Sequence, residues 1–215
     1  MANDLSDYRK SYKKEELLEH NCPLNPFELF NKWFKIADDS KMMEESNAMT
    51  ISTIGIDGCP KNRVVLLKKY SDDGFVFYTN YNSEKGKAIN QNNKVCLSFF
   101  WAKLEQQIII KGKAEKLAEN ISDHYFESRP DGSKLGAWAS EQSNIVDSRE
   151  FLEKSLKKYK DKFHNKEIQR PKHWGGYLVK PFSIEFWQGR PNRMHDRIRY
   201  TLKKDFSWKL DRLSP

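Results

Sequence analysis

The chain has 215 residues, 38% hydrophobic and 13% aromatic, and its 38 Lys and Arg outnumber 30 Asp and Glu for a formal net charge of +8. This composition excludes a disordered chain and suits one globular domain with a real core. No apolar run approaches the roughly 18 residues of a membrane span, and the start, M-A-N-D-L-S-D-Y-R-K, lacks the apolar segment of a secretory signal, so a cytoplasmic protein is expected.

The positive charge would suit an anionic partner, but acids alternate with bases in K-K-E-E, K-M-M-E-E and S-E-K-G-K. No basic block dominates, so neither nucleic acid nor a membrane is the expected partner. Cys22, Cys59 and Cys96 are odd in number and far apart, without C-x-x-C or a histidine at ligand spacing. They read as free thiols, and no metal site is expected.

Residues 1–24 are polar and read as a mobile N-terminal arm; residues 25–215 show no repeat, low-complexity tract or boundary and read as a single domain. Within the arm, Arg9 and Tyr12 would share one side if a helical turn forms. Asn25-Pro26-Phe27-Glu28 has the cap, first-turn proline and acid of a helix start. Phe27, Phe30, Trp33, Phe34 and Ala37 then make an apolar stripe for the core.

From Ala48 the period becomes that of strands. A-M-T-I-S-T-I-G, a turn at Asp57-Gly58, and R-V-V-L-L-K-K-Y form an expected hairpin, and D-D-G leads into F-V-F-Y-T-N. Ser83 is placed to cap a short helix through Asn92, whose N-terminus beside Lys85 and Lys87 would attract a phosphate through free N–H groups and positive charge. Next come strands K-V-C-L-S-F-F-W and Q-I-I-I-K-G-K-A-E-K-L, then a helix over 119–128, the turn-like R-P-D-G-S-K, and a helix over 148–163 with Phe151, Leu152, Leu156 and Tyr159 inward. The fold class is α+β, mainly antiparallel β. No G-x-G-x-x-G follows a strand, so a doubly wound dinucleotide fold is not indicated.

G-G-Y-L-V-K-P-F-S-I-E-F-W forms a further strand, and the stretch Glu185–Arg197, E-F-W-Q-G-R-P-N-R-M-H-D-R, gathers aromatics, a turn, a histidine, carboxylates and arginines. With the next strand starting near Ile198, Arg193, His195 and Arg197 would alternate onto one face, with Met194 and Asp196 on the other. Guanidiniums flanking an imidazole would suit a planar anion, with Trp187 as a wall. The alternative is a solvated hairpin tip whose arginines and acids pair with each other. The chain then closes with the hairpin I-R-Y-T-L-K-K-D-F-S-W-K-L-D-R-L.

These segments, with R-V-V-L-L-K, F-Y-T-N, S-R-P, G-A-W-A-S-E-Q-S, H-W-G-G and W-K-L-D-R-L-S-P in one order from about Asn25 to Pro215, resemble the pyridoxamine 5'-phosphate oxidase family. The resemblance implies a split β-barrel with flanking helices, a homodimer with FMN between the subunits, and oxidation of pyridoxine 5'-phosphate and pyridoxamine 5'-phosphate to pyridoxal 5'-phosphate, with dioxygen reduced to hydrogen peroxide. It implies that Arg63 reaches the FMN phosphate, that Val64, Val65 and Leu66 line the cofactor, and that Tyr78, Thr79, Lys85, Gln107, Trp187 and Arg197 contact it. Gln142 and Ser143 correspond to flavin contacts from the neighbouring subunit. Lys68, Tyr125, Arg129 and Ser133 correspond to the substrate-phosphate cradle, and Arg193, Met194 and His195 to the substrate-facing stretch. Arg193 and His195 would be the catalytic pair, orienting substrate and stabilising charge; Arg9 and Tyr12 would come from the arm.

The chain departs from the family pattern at Glu84 and Gln106, where arginines are usual. Glu84 beside a phosphate would be repulsive, so it is expected to turn outward and leave the phosphate to Arg63, Lys85 and Lys87. A non-catalytic binder of FMN or pyridoxal phosphate, or a related flavin reductase or haem-handling protein, are the competing readings.

Overall fold

Asn25 opens α1 (Pro26–Asp39) by accepting a hydrogen bond from the Phe27 amide at 3.0 Å, with Pro26 in the first turn. Described here by a computed structural model that covers residues 3–8 and 10–215, the chain places Phe27, Phe30, Trp33 and Ala37 of this helix in the core, as their spacing requires. Arg9 lies outside the described residues.

Among the described residues nine strands run along the chain, the expected R-V-V-L-L-K-K-Y strand being divided in two: β1 (Ala48–Ile54), β2 (Pro60–Leu66), β3 (Lys69–Ser71), β4 (Gly74–Asn80), β5 (Lys94–Trp101), β6 (Gln106–Lys116), β7 (Trp174–Gln188), β8 (Asp196–Leu202) and β9 (Trp208–Arg212). They pair in the order β2-β1-β5-β6-β7-β4-β3, with β8 on β7 and β9 on β8. The helices are α1, α2 (Glu84–Gln91), α3 (Glu119–Glu127), α4 (Asp131–Ala139) and α5 (Arg149–Lys162). The fold is thus the mainly antiparallel α+β class expected. Among the described residues no helix is long and apolar enough to cross a membrane.

The chain divides into two compact units. The first comprises Met1–Met49, Leu97–Lys111 and Pro181–Pro215. Its core is aromatic: Phe30 meets Phe99 edge-on at 5.5 Å, Trp33 meets Phe186 at 5.3 Å, and Phe186 meets Tyr200 at 5.9 Å. Each of these large side chains contributes about 2–3 kcal/mol by leaving water. Antiparallel pairing sets Trp187 opposite Arg197 and Gln188 opposite Asp196.

The second unit comprises Thr50–Cys96 and Gly112–Lys180. Here β4 pairs antiparallel with β3 and with β7, setting Tyr78 opposite Gly176 and Asn80 opposite Trp174. Ser83 caps α2 by accepting from the Gly86 amide at 3.2 Å, as its position predicts.

Three local expectations are corrected. R-P-D-G-S-K is not a turn but the start of α4, a helix of its own. On α5 Phe151 points outward and is 46% exposed, because the helix leans on Trp138 and Ala139 of α4 through Tyr159 (rings 5.7 Å apart) and Ser155, whose hydroxyl donates to the Ala139 carbonyl at 2.9 Å. Strand alternation does not reach Arg193 either. Pro191–Arg193 forms a 3-10 turn in which Asn192 and Arg193 have φ of 57° and 60°, so β8 begins only at Asp196. Met194 is then solvent-facing while Asp196 is buried, so they do not share a face.

Candidate functional site

In the second unit a cavity of about 630 Å³ opens between β2, β4, α3 and α4. Its walls gather Val64, Val65, Leu66, Lys68, Tyr78, Thr79, Lys85, Tyr125, Arg129, Ser133 and Gln142, residues expected to act together although they come from well-separated segments. An adjoining hollow shares Val64, Lys85 and Gln142 and adds Arg63, Glu84 and Ser143. Gln142 therefore meets the β2–α2 wall within one chain, whereas the resemblance assigns that contact to a neighbouring subunit.

Lys85 is the unusual group. It is only 7% exposed, yet Nζ donates to neutral oxygens: Thr79 Oγ1 at 3.0 Å, Gln142 Oε1 at 3.4 Å and Ser83 Oγ at 3.5 Å. Burial, then the charge of Arg63, pushes its pKa down from 10.5 to about 8, and Glu84 opposes the shift only weakly. An ammonium buried beside a helix N-terminus without a bonded carboxylate is a pre-formed place for an anion.

Arg63 is held by its Nη1, which donates to Thr53 Oγ1 at 2.7 Å and the Lys61 carbonyl at 2.8 Å. Glu84 does not simply face solvent. Its carboxylate accepts from Lys61 Nζ and lies 3.9 Å from Arg63 Nη2, which depresses its pKa.

A second cationic pole lies on α3 and the turn after it. The Arg129 guanidinium stands 4.4 Å from the Trp174 ring centroid and 5.5 Å from that of Phe126, and its buried Nη1 finds no hydrogen-bond partner among the described residues. Tyr78 and Tyr125 stack with ring centroids 3.8 Å apart, and Trp174 continues the stack 5.5 Å from Tyr78. Gly176 lets this happen, since an added Cβ would lie 2.8 Å from Tyr78 Cε1. Arg170 fixes the arrangement by donating to Asp123 Oδ1 at 2.6 Å and to the Trp174 carbonyl at 2.7 Å. Trp174 and Arg170 were not singled out from the sequence; the only signal was the Trp in H-W-G-G.

The remaining candidates lie in the first unit. The rings of Trp187 and His195 are 4.8 Å apart, and Tyr12 of the arm meets them edge-on at 5.6 and 5.8 Å. The Arg190 amide donates to His195 Nδ1 at 3.1 Å, so the neutral imidazole carries its proton on Nε2. Desolvation, then the charge of Arg193, lowers the His195 pKa and favours that neutral form, while Asp196 opposes it. Arg193 and Met194 are exposed. Arg197 is not free: Nε and Nη2 each lie 2.8 Å from Glu185 Oε1, and Nη1 donates to the Ser214 carbonyl at 2.9 Å. Gln107 is half-buried on β6, next to Gln106, whose Nε2 donates to Gln188 Oε1 at 3.0 Å.

Residues 40–163 match the family model described as pyridoxamine 5'-phosphate oxidase, and residues 174–215 match that of the pyridoxine 5'-phosphate oxidase C-terminal dimerisation region. The chain is 65% identical over 212 residues to the pyridoxine/pyridoxamine 5'-phosphate oxidase of Flavobacterium johnsoniae, covering 99% of each chain. Its fold matches the crystal structure of PhzG from Burkholderia lata 383 in complex with tetrahydrophenazine-1-carboxylic acid, with TM-score 0.86 and 27% identity over 94% of this chain and 99% of that one. A pyridoxamine 5'-phosphate oxidase-related, FMN binding protein from Nostoc punctiforme shares the fold at TM-score 0.70 and 15% identity, over 90% of this chain and 100% of that one.

Proposed function

Since the chain belongs to the pyridoxamine 5'-phosphate oxidase family of oxidoreductases, we propose that it converts pyridoxine 5'-phosphate and pyridoxamine 5'-phosphate to pyridoxal 5'-phosphate, with FMN as cofactor and dioxygen reduced to hydrogen peroxide. The observation that carries this reading is the pair of anion-seeking cations lining one cavity, the buried Lys85 and the half-buried Arg129 with its buried Nη1. Reaction partners that each bear a phosphate, the cofactor and the substrate, suit two such poles.

The residues present fit FMN. Lys85, the α2 N-terminus and Arg63 would hold its phosphate, and Val64, Val65, Leu66, Tyr78, Thr79, Gln142 and Ser143 would bound the rest; Gln107, Trp187 and Arg197 are assigned to the ring by the resemblance alone. When bound, FMN supplies a two-electron acceptor for the substrate's exocyclic carbon and passes those electrons to dioxygen. Glu84, engaged with Lys61 and Arg63, stands outside this set of donors.

For the substrate phosphate, Arg129 offers a guanidinium whose Nη1 awaits an acceptor, and Lys68, Tyr125 and Ser133 add an ammonium and hydroxyl donors. Arg193 and His195 orient the pyridine ring and stabilise charge; a neutral His195 with its proton on Nε2 donates one hydrogen bond there. Met194 and Tyr12 supply apolar cover, and Arg9 is assigned to the arm's substrate contacts by the resemblance alone. The match of residues 174–215 to a dimerisation region supports a homodimer, and the resemblance would place FMN at its subunit interface.

The test is an anaerobic visible spectrum of the FMN-loaded protein before and after pyridoxine 5'-phosphate. Bleaching of the oxidised flavin band, restored by air, is expected. Flavin that binds but is not bleached by either phosphorylated vitamer would replace the oxidase reading with that of a binding protein.

A further inference from the structure

Glu105 sits in the turn between β5 and β6, 3% exposed and with φ of 57°. A side-chain-bearing residue keeps that left-handed conformation only where its surroundings fix it. Its carboxylate Oε2 accepts the main-chain amides of Lys13 at 2.8 Å and Lys14 at 3.1 Å, and Oε1 lies 3.7 Å from Lys10 Nζ. Its own carbonyl accepts the Gly189 amide at 2.8 Å and Gln188 Nε2 at 3.2 Å. One buried acid therefore ties the N-terminal arm to the loop that leads from Trp187 to His195.

Tyr12 is the residue immediately before the clasped amides, and it is the side chain laid against Trp187 and His195. Further along, a separate anchor holds the arm. The Leu17 amide donates to Asp196 Oδ2 at 3.1 Å, and Arg212 Nη2 donates to the Leu17 carbonyl at 2.9 Å. Arg190 Nη1 also donates to the Glu15 carbonyl at 3.2 Å, so loss of Glu105 would free the arm ahead of Glu15 while Glu15 and Leu17 stay anchored.

We propose that Glu105 is a positioning residue that clasps the N-terminal arm so that Tyr12 covers His195 and Trp187. The proposal rests on the oxidase reading, in which Tyr12 and His195 face the substrate. Charge-assisted bonds from main-chain amides to a buried carboxylate are among the stronger ones available to an otherwise extended segment. They fix the backbone on the C-terminal side of Tyr12, which leaves its ring few positions other than over His195.

The experiment compares Glu105→Ala, Glu105→Gln and Tyr12→Ala in the full-length, FMN-loaded protein. Trypsin cleavage after Lys10 is tracked by mass, alongside KM and kcat for pyridoxine 5'-phosphate. Glu105→Ala is expected to speed cleavage about tenfold or more and to raise KM about tenfold while kcat changes less than about threefold. Glu105→Gln, which keeps an acceptor oxygen, should fall between. Adding Glu105→Ala to Tyr12→Ala should raise KM no further, because the clasp acts through that ring.

Cleavage at the wild-type rate in folded Glu105→Ala, or full additivity with Tyr12→Ala, would overturn the proposal. If Glu105→Ala does not fold, Lys14→Pro removes one clasped amide from an exposed segment and is judged by the same cleavage. If no variant turns over substrate, wild type included, the oxidase reading fails, and cleavage after Lys10 still decides the clasp.

Discussion

The guanidinium of Arg129 lies over the indole of Trp174 at 4.4 Å, while its buried Nη1 has no hydrogen-bond partner among the described residues. Cation–π contacts of partly desolvated groups contribute about 1–2 kcal/mol. Trp174→Leu should therefore raise KM for pyridoxine 5'-phosphate roughly five- to thirtyfold, with Trp174→Phe between it and wild type. Because Trp174 is buried, the leucine variant also leaves a cavity and loses stability. Steady-state kinetics beside thermal unfolding separates the two effects: at a temperature where both variants stay folded, the order of KM values should persist.

Lys85 makes both stability and cofactor binding depend on pH. Its pKa is lowered from 10.5 to about 8, so between those values the unfolded chain holds a proton that the folded protein has released. Because the unfolded chain binds more protons between about pH 8 and 10.5, the burial of Lys85 costs the ligand-free protein stability below about pH 8, and that cost is relieved as pH rises across the interval. Flavin binding runs the other way. The FMN phosphate favours the ammonium, so above about pH 8 binding must take up a proton and weakens by up to about tenfold per pH unit. Fluorescence titration of FMN from roughly pH 7 to 9.5 brackets the transition and checks this. Lys85→Met should bind more weakly at neutral pH and show a flat profile; a sloping profile in that variant would assign the titration elsewhere.

What was legible in the sequence was what local chemistry determines. The cap Asn25, the stripe Phe27-Phe30-Trp33, the cap Ser83 and the strands around Val64 and Tyr78 all depend on neighbours within a few residues. The helix α4 was hidden because Pro130, Asp131 and Gly132 spell a turn, and Pro130 instead sits at the N-cap. Phe151 shows the same limit, since the face α5 buries is set by Trp138, not by its own periodicity. Trp174 and Glu105 act through partners 45 and 91 or 92 positions away, Arg129 in one case and Lys14 and Lys13 in the other, and no spacing rule reaches that far.

Glu84 tests how the phosphate site tolerates an acid. Its carboxylate, bonded to Lys61 and 3.9 Å from Arg63 Nη2, offsets positive charge that would otherwise serve the phosphate. Glu84→Arg reverses that charge on an exposed side chain, where screening keeps the effect small. FMN affinity should rise about fivefold at low salt and by less at high salt. Titration at two ionic strengths checks it, and an unchanged affinity would mean that Glu84 already lies beyond the reach of the bound phosphate.

Gly189 connects the arm to the Trp187–His195 loop from the other side. Its backbone is outside the left-handed region, so alanine would meet no intrinsic strain, but an added Cβ would stand 2.7 Å from Tyr12 Cγ and 2.8 Å from Tyr12 Cβ. Either distance is too short to keep, and the ring is the part that can move. Gly189→Ala should lift Tyr12 from His195 while leaving the Gly189 amide bonded to the Glu105 carbonyl. KM for pyridoxine 5'-phosphate is expected to rise about tenfold in the wild-type background and not at all in Tyr12→Gly, because both the ring and the Cβ that the methyl meets are then gone. An equal rise in both backgrounds would place the effect of the methyl group on the loop itself, not on the arm.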